Sequence, residues 1–135
     1  MKDDLFSFRK QFQMVSFIRS RNISAVEDLF RAGFKPEFKM PSFLGRTSLH
    51  IAVSENLRGI TDVILRQEGV DVDAKDDIGM TPVMIAITND FYDVVKLLMD
   101  QEPPPRLDVP NKFGKRAVDY IKSDRMQKMI DLNLY

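Results

Sequence analysis

An eight-residue pattern occurs twice in this chain, and the distance between its copies constrains the fold more than any other feature. Gly45-Arg46-Thr47-Ser48-Leu49-His50-Ile51-Ala52 returns as Gly79-Met80-Thr81-Pro82-Val83-Met84-Ile85-Ala86. The two leading glycines are 34 residues apart, and a reduced third copy, Gly114-Lys115-Arg116-Ala117-Val118, starts 35 residues further on. A unit that short cannot bury a core alone, so it must stack on its neighbours into an array.

The period and the Gly-x-Thr-Pro-Leu-His-x-Ala core resemble the ankyrin repeat. That resemblance implies an all-α solenoid of helix-turn-helix units with projecting β-hairpin loops, four repeats counting two caps. The chain divides accordingly into an N-terminal cap with its finger (1–41), two repeats (42–75 and 76–110) and a C-terminal cap (111–135). It also implies a non-enzymatic module that binds other proteins.

Local signals agree with this division. Thr47 suits an N-cap, its hydroxyl able to accept from an otherwise orphaned amide, and Leu49, Ala52 and Val53 follow at helical spacing. Glu55-Asn56 is expected to turn the chain into a second helix carrying Ile60, Val63 and Ile64 and stopping near Gly69. Val70-Asp71-Val72-Asp73-Ala74 then reads as a short extended arm. In the next unit Asp76-Asp77-Ile78-Gly79 forms the hairpin turn. Thr81-Pro82 opens a helix, the proline at a first-turn position where its missing N–H costs nothing. Val94, Val95, Leu97 and Leu98 pack the helix after it. Three prolines, Pro103-Pro104-Pro105, stand where a helix-ending glycine belongs and read as a stiff stop rather than a peptide ligand.

Both ends resemble caps. Asn22 to Gly33 matches the turn, second helix and terminal glycine, and the preceding helix, about residues 5–19, is expected to pack Phe8, Phe12 and Val15 on one face, closed by Ile18. The first finger is longer than its successor: 12 residues separate Gly33 from Gly45, against 10 from Gly69 to Gly79. At the far end Ala117, Val118, Tyr120 and Ile121 are expected in one helix and Met126, Met129 and Ile130 in a shorter one. Met1 and the closing Leu132-Asn133-Leu134-Tyr135 favour a complete chain.

Composition removes most other functions. No cysteine and a single histidine, His50, exclude a Cys–His nucleophile pair and a multi-histidine metal site by count. The resemblance gives His50 a structural role, bridging backbone groups of adjacent loops. Asp71, Asp73, Asp76 and Asp77 fit no calcium-loop spacing, and no glycine-rich phosphate loop occurs. No cofactor, metal or small-molecule substrate is expected. The net charge is zero but uneven: +4 over residues 1–46, −7 over 47–110 and +3 over 111–135. That modest asymmetry reads as ordinary variation of solvated faces. Without a continuous basic stripe, nucleic-acid binding is disfavoured even though Phe17 lies near Arg19 and Arg21, and Phe113 near Lys112, Lys115 and Arg116. No stretch is long and apolar enough for a membrane span, so a cytoplasmic location is expected.

The family's fingers and first helices imply where a partner would lie. Phe43, Leu44 and Arg46 fall on the first finger, Asp77, Ile78 and Met80 on the second, and Lys112, Phe113 and Lys115 on the third. The helix positions are Ser20 and Arg21, Ser54 and Glu55, then Thr88 and Asn89. Five of the finger residues are apolar, and Phe43, Ile78, Met80 and Phe113 are expected to form one exposed seam. The leading expectation is a stand-alone protein, monomeric or weakly self-associating, that inhibits or tethers one macromolecular partner. The alternatives are an adaptor segment of a larger protein, or a microbial effector or antitoxin sequestering a target enzyme.

Overall fold

A computed structural model describes residues 2–133, with side chains from Leu5 onward; Leu134 and Tyr135 of the expected C-terminal cap lie outside it. Among the described residues the elements are helical: α1 (Lys2–Arg19), α2 (Ile23–Arg31), α3 (Ser48–Ser54), α4 (Arg58–Leu65), α5 (Pro82–Thr88), α6 (Tyr92–Met99) and α7 (Asp124–Asn133). Two 3-10 turns, Pro41–Phe43 and Ala117–Tyr120, complete the order. The inner layer runs α1, α3, α5 and the second 3-10 turn, while α2, α4, α6 and α7 pack outside it. This is the expected all-helical solenoid, built of three helix pairs followed by a 3-10 turn and α7.

The local reasons recur from unit to unit. Thr47 and Thr81 hold extended backbone, and their hydroxyls accept from the N–H of His50 and Met84, ending the orphaned amides of α3 and α5. Arg21, Asn56 and Asp90, at φ 60, 56 and 56, make the left-handed step between the paired helices. Leu49, Ala52, Val83 and Ala86 are wholly buried between the inner helices, and Ile64, Val94 and Leu98 between the layers. The arm at 70–74 is not extended: Val72 and Asp73 turn, the N–H of Ala74 donating to the Asp71 carbonyl.

One difference between the two central units yields a prediction. Pro82 opens α5, whereas its equivalent Ser48 opens α3 with a buried hydroxyl that has no hydrogen-bond partner. Thr47 already holds the extended conformation a following proline demands, φ −88 and ψ 170. Ser48→Pro is therefore expected to stabilise the fold by about 1 kcal/mol, a Tm rise of about 3 °C in a thermal melt.

The ends depart from expectation. Phe8 and Phe12 do not pack with Val15: they are 48% and 56% exposed, because the stripe facing the core runs Ser7, Gln11, Met14 and Ile18. At the C-terminus the relative lengths are reversed. Residues 117–120 form only a 3-10 turn, ended by the extended Ile121 (φ −65, ψ 127), while α7 runs ten residues. The copy at Gly114 has Arg116 where the others have threonine, so no hydroxyl caps a full helix; Asp119 accepts from the Arg116 N–H instead.

Candidate functional site

The three fingers form a continuous edge because each is bonded through its backbone to the next. In the second finger the Asp76 N–H donates to the Met80 carbonyl, and the Asp76 carboxylate accepts from the N–H groups of Ile78 and Met80. Asn111 does the same in the third, its amide oxygen accepting from the N–H groups of Phe113 and Lys115. A short polar side chain thus folds each tip tightly, which is why Asp and Asn occupy these positions. The first finger spends its two extra residues on the 3-10 turn Pro41–Phe43, closed by the single bridge between Met40 and Arg46.

Between fingers, the Asp77 N–H donates to the Leu44 carbonyl at 2.9 Å, and the Lys112 N–H to the Ile78 carbonyl at 3.0 Å. Arg46 reaches the fully buried carboxylate of Asp76, Nε to Oδ2 at 3.4 Å. His50 ties the same row to the helices beneath. Its Nδ1 accepts from the Thr47 N–H at 3.1 Å, which places the proton on Nε2, 2.9 Å from the Met80 carbonyl. Burial holds its pKa down, from 6.5 to about 4, despite the Met80 carbonyl and the nearby Asp76. The imidazole is a neutral strut between two fingers.

Glycine is required at two of the tips, by close backbone approach at Gly79 and by left-handed backbone at both Gly79 and Gly45. A Cβ on Gly79 would lie 3.0 Å from both Asn111 Cα and the Lys112 nitrogen, whereas one on Gly45 would meet only the Asp77 carboxylate, an exposed side-chain end that can move aside. Both have positive φ, 80 and 66.

This register places one apolar side chain, immediately before each finger's glycine, at the exposed tip: Leu44, Ile78 and Phe113, at 57%, 39% and 67% exposure. The expected seam of Phe43, Ile78, Met80 and Phe113 is thereby corrected at two positions. Phe43 turns back to meet the Phe12 ring edge-on at 5.6 Å, a consequence of the longer finger. Met80 lies half-buried, its sulfur accepting from the Asn111 amide at 3.2 Å. Leu44 takes the place of Phe43 in the row.

The charged positions divide similarly. Asp77, Lys112 and Lys115 are exposed beside the tips, while Arg46 is engaged by Asp76. Arg116 is held by Asp119, whose carboxyl lies below its ordinary range because it accepts from that guanidinium. Glu55 and Asn89 both cap the ends of inner helices, and their equivalent in the first unit is Ser20. Arg21 sits one step later, at the left-handed turn, in a separate groove of about 280 Å3 that includes Ile23 and Leu57. Arg19 instead reaches Glu55, at 3.0 Å.

The part played by α1 is hidden in the repeat pattern. Counting back from Arg21, the N-terminal half of this helix occupies the place a finger holds in the other units. Gln11, fully buried, bonds it to the first finger by accepting from the Ser42 N–H at 3.0 Å. Leu5, Phe8 and Phe12 stand exposed on it, at i, i+3 and i+7. A signal was available, since the helical pattern before Arg19 is far longer than the seven residues of α3 or α5. Among the described residues no group of His, Cys, Asp and Glu converges as a metal site, and no helix is long and apolar enough to cross a membrane.

Comparison with known proteins is consistent with this architecture. The family model described as ankyrin repeats (3 copies) matches residues 14–111. The chain is 36% identical over 76 residues to human neurogenic locus notch homolog protein 4, covering 56% of this chain and 4% of that protein. It is 30% identical over 107 residues to BTB/POZ domain-containing protein 1 of Schizosaccharomyces pombe, covering 76% of this chain and 8% of that protein. With neurogenic locus notch homolog protein 1 of Xenopus tropicalis it shares 28% over 81 residues, 60% of this chain and 3% of that protein. The chain therefore spans less than a tenth of the length of these relatives.

Proposed function

The chain belongs to the ankyrin-repeat family, a non-catalytic interaction fold that generally binds other proteins, and from that premise we propose that it docks one macromolecular partner along its finger tips and inhibits or tethers it. The observation carrying this reading is the row Leu44, Ile78 and Phe113. Three large apolar side chains stand exposed at one register of three fingers, and backbone hydrogen bonds fix their spacing. Exposing them costs stability that burial would recover, roughly 25 cal/mol for each Å2 removed from water. A rigid row also loses little conformational freedom on docking, so more of that gain becomes affinity. Asp77, Lys112 and Lys115 around the tips supply a polar rim that selects among partners.

The test is capture from a lysate of the cells that make the protein, wild type beside Leu44→Ser/Ile78→Ser/Phe113→Ser, read by mass spectrometry. Each tip is exposed, so the variant is expected to keep the wild-type melting temperature. It is expected to lose the captured protein, with affinity falling at least about a hundredfold when the pair is titrated. Equal capture by both would move the site off the fingers. Suppression of the partner's activity at one-to-one stoichiometry would mark inhibition, and recovery of two proteins bridged by this chain would mark tethering.

A further inference from the structure

The finger row does not end at the first finger. Phe12 contacts Phe43 directly, and Leu5 and Phe8 carry the exposed apolar surface along α1, at 53% and 48% exposure. Beside Phe12 and Phe43 lies a groove of about 510 Å3, walled by Val15, Ser16, Arg19 and Ser20. The charge on this element is mostly basic: residues 5–26 contain Arg9, Lys10, Arg19 and Arg21 and no acidic residue, and the one carboxylate reaching it from a neighbouring unit is Glu55, paired with Arg19 at 3.0 Å. Arg9 is exposed beside the ridge and makes no ion pair among the described residues; Arg19 closes its far end. We propose that this ridge and groove dock an acidic amphipathic segment of a protein partner, whose apolar stripe lies along Leu5, Phe8 and Phe12 and whose carboxylates face Arg9, with Arg19 shared between the segment and Glu55. The proposal rests on the reading of the finger row as a docking edge and adds the chemistry of what enters its N-terminal end.

Two other occupants fit the same surface less well. A second copy pairing ridge to ridge would bring the Arg9 of each copy to the same apolar seam, a like-charge arrangement that opposes association. A bilayer surface could meet the ridge, but it cannot follow the groove between α1 and the first finger. A helix or an extended peptide can, in the way apolar anchors at i, i+3 and i+7 enter a groove.

The experiment selects a displayed library of random peptides, roughly 16 residues or about four helical turns long, on the immobilised full chain. Enriched peptides are expected to carry net negative charge with apolar residues at helical spacing. The synthetic binders should bind Phe8→Ser/Phe12→Ser at least about thirtyfold more weakly than wild type. Arg9→Glu, at an exposed position where folding is unaffected, should weaken them at least about threefold, with the difference shrinking at high salt. Enrichment of neutral or basic peptides, or binders indifferent to both variants, overturns the proposal. Binders lost with Leu44→Ser/Ile78→Ser/Phe113→Ser but retained by Phe8→Ser/Phe12→Ser overturn it while leaving the finger-row reading standing. Binders retained by every variant overturn both. A wild-type dimer in sedimentation that Phe8→Ser/Phe12→Ser dissolves would assign the ridge to a second copy. Phe8-dependent binding to phosphatidylserine vesicles with no enriched peptide would assign it to a membrane.

Discussion

Replacing His50 with alanine is expected to lower the unfolding free energy by at least about 3 kcal/mol in a denaturant titration. The ring is fully buried and bonded at both nitrogens, so truncation opens a cavity and strands two backbone groups, the Thr47 N–H and the Met80 carbonyl. A second effect follows from its titration. The pKa is about 4 in the fold against 6.5 for the free imidazole, so the unfolded chain takes up the proton first as pH falls. Stability from this depressed pKa is present above pH 6.5 and is lost as pH falls towards 4, by up to about 3 kcal/mol in all. His50→Gln, which cannot titrate, is expected to show a flatter stability profile between those limits. Carboxylates remote from residue 50 contribute equally to both proteins, so the difference curve reports the imidazole together with its coupling to Asp76. A difference curve without slope between pH 6.5 and 4 would contradict the neutral strut.

Gly79→Ala is the second change of large expected effect, and it joins the fold to the function. A methyl group there meets Asn111 Cα and the Lys112 nitrogen at 3.0 Å, both backbone atoms that cannot swing aside as a side chain would. The left-handed conformation, φ 80, costs about 1–2 kcal/mol for alanine, and losing the Lys112-to-Ile78 hydrogen bond adds about 1. Destabilisation of about 2–3 kcal/mol is expected. Gly114→Ala supplies the control, because its φ is 73 but no atom beyond its chain neighbours lies within 4 Å of the added Cβ. It should show the conformational cost alone. At temperatures where both variants remain folded, Gly79→Ala should also weaken partner binding, since it parts the tips of Ile78 and Phe113 without altering either. Equal stability and equal binding in the two glycine variants would show that finger spacing is not fixed as described.

Much of this was legible in the sequence, for identifiable reasons. Glycines at 45, 79 and 114, threonines at 47 and 81 and the first-turn Pro82 report local backbone requirements that nothing distant overrides, and all six behave as their chemistry demands. The longer first finger was equally legible from the glycine spacing. Its consequence was not: two extra residues wind into a 3-10 turn that carries Phe43 back onto Phe12 and leaves Leu44 at the tip. Side-chain direction in a turn depends on its full dihedral path, which spacing alone does not supply. Met80 was misplaced because its burial depends on Asn111, 31 residues away. On α1 the apolar pattern misleads because the core-facing stripe begins with two polar residues, Ser7 and Gln11, and the phenylalanines lie outside it. Gln11 is buried to serve the first finger, a tertiary requirement invisible to periodicity. The degraded third copy is misleading on helix lengths, since Arg116 offers no capping hydroxyl.

The most direct test of the finger row as the docking edge is amide hydrogen exchange on the complex with the captured partner, compared with the free chain. Protection is expected at residues 42–46, 77–80 and 112–115, with α4 and α6 unchanged. Protection confined to α4 and α6, with the fingers exchanging as in the free chain, would contradict it.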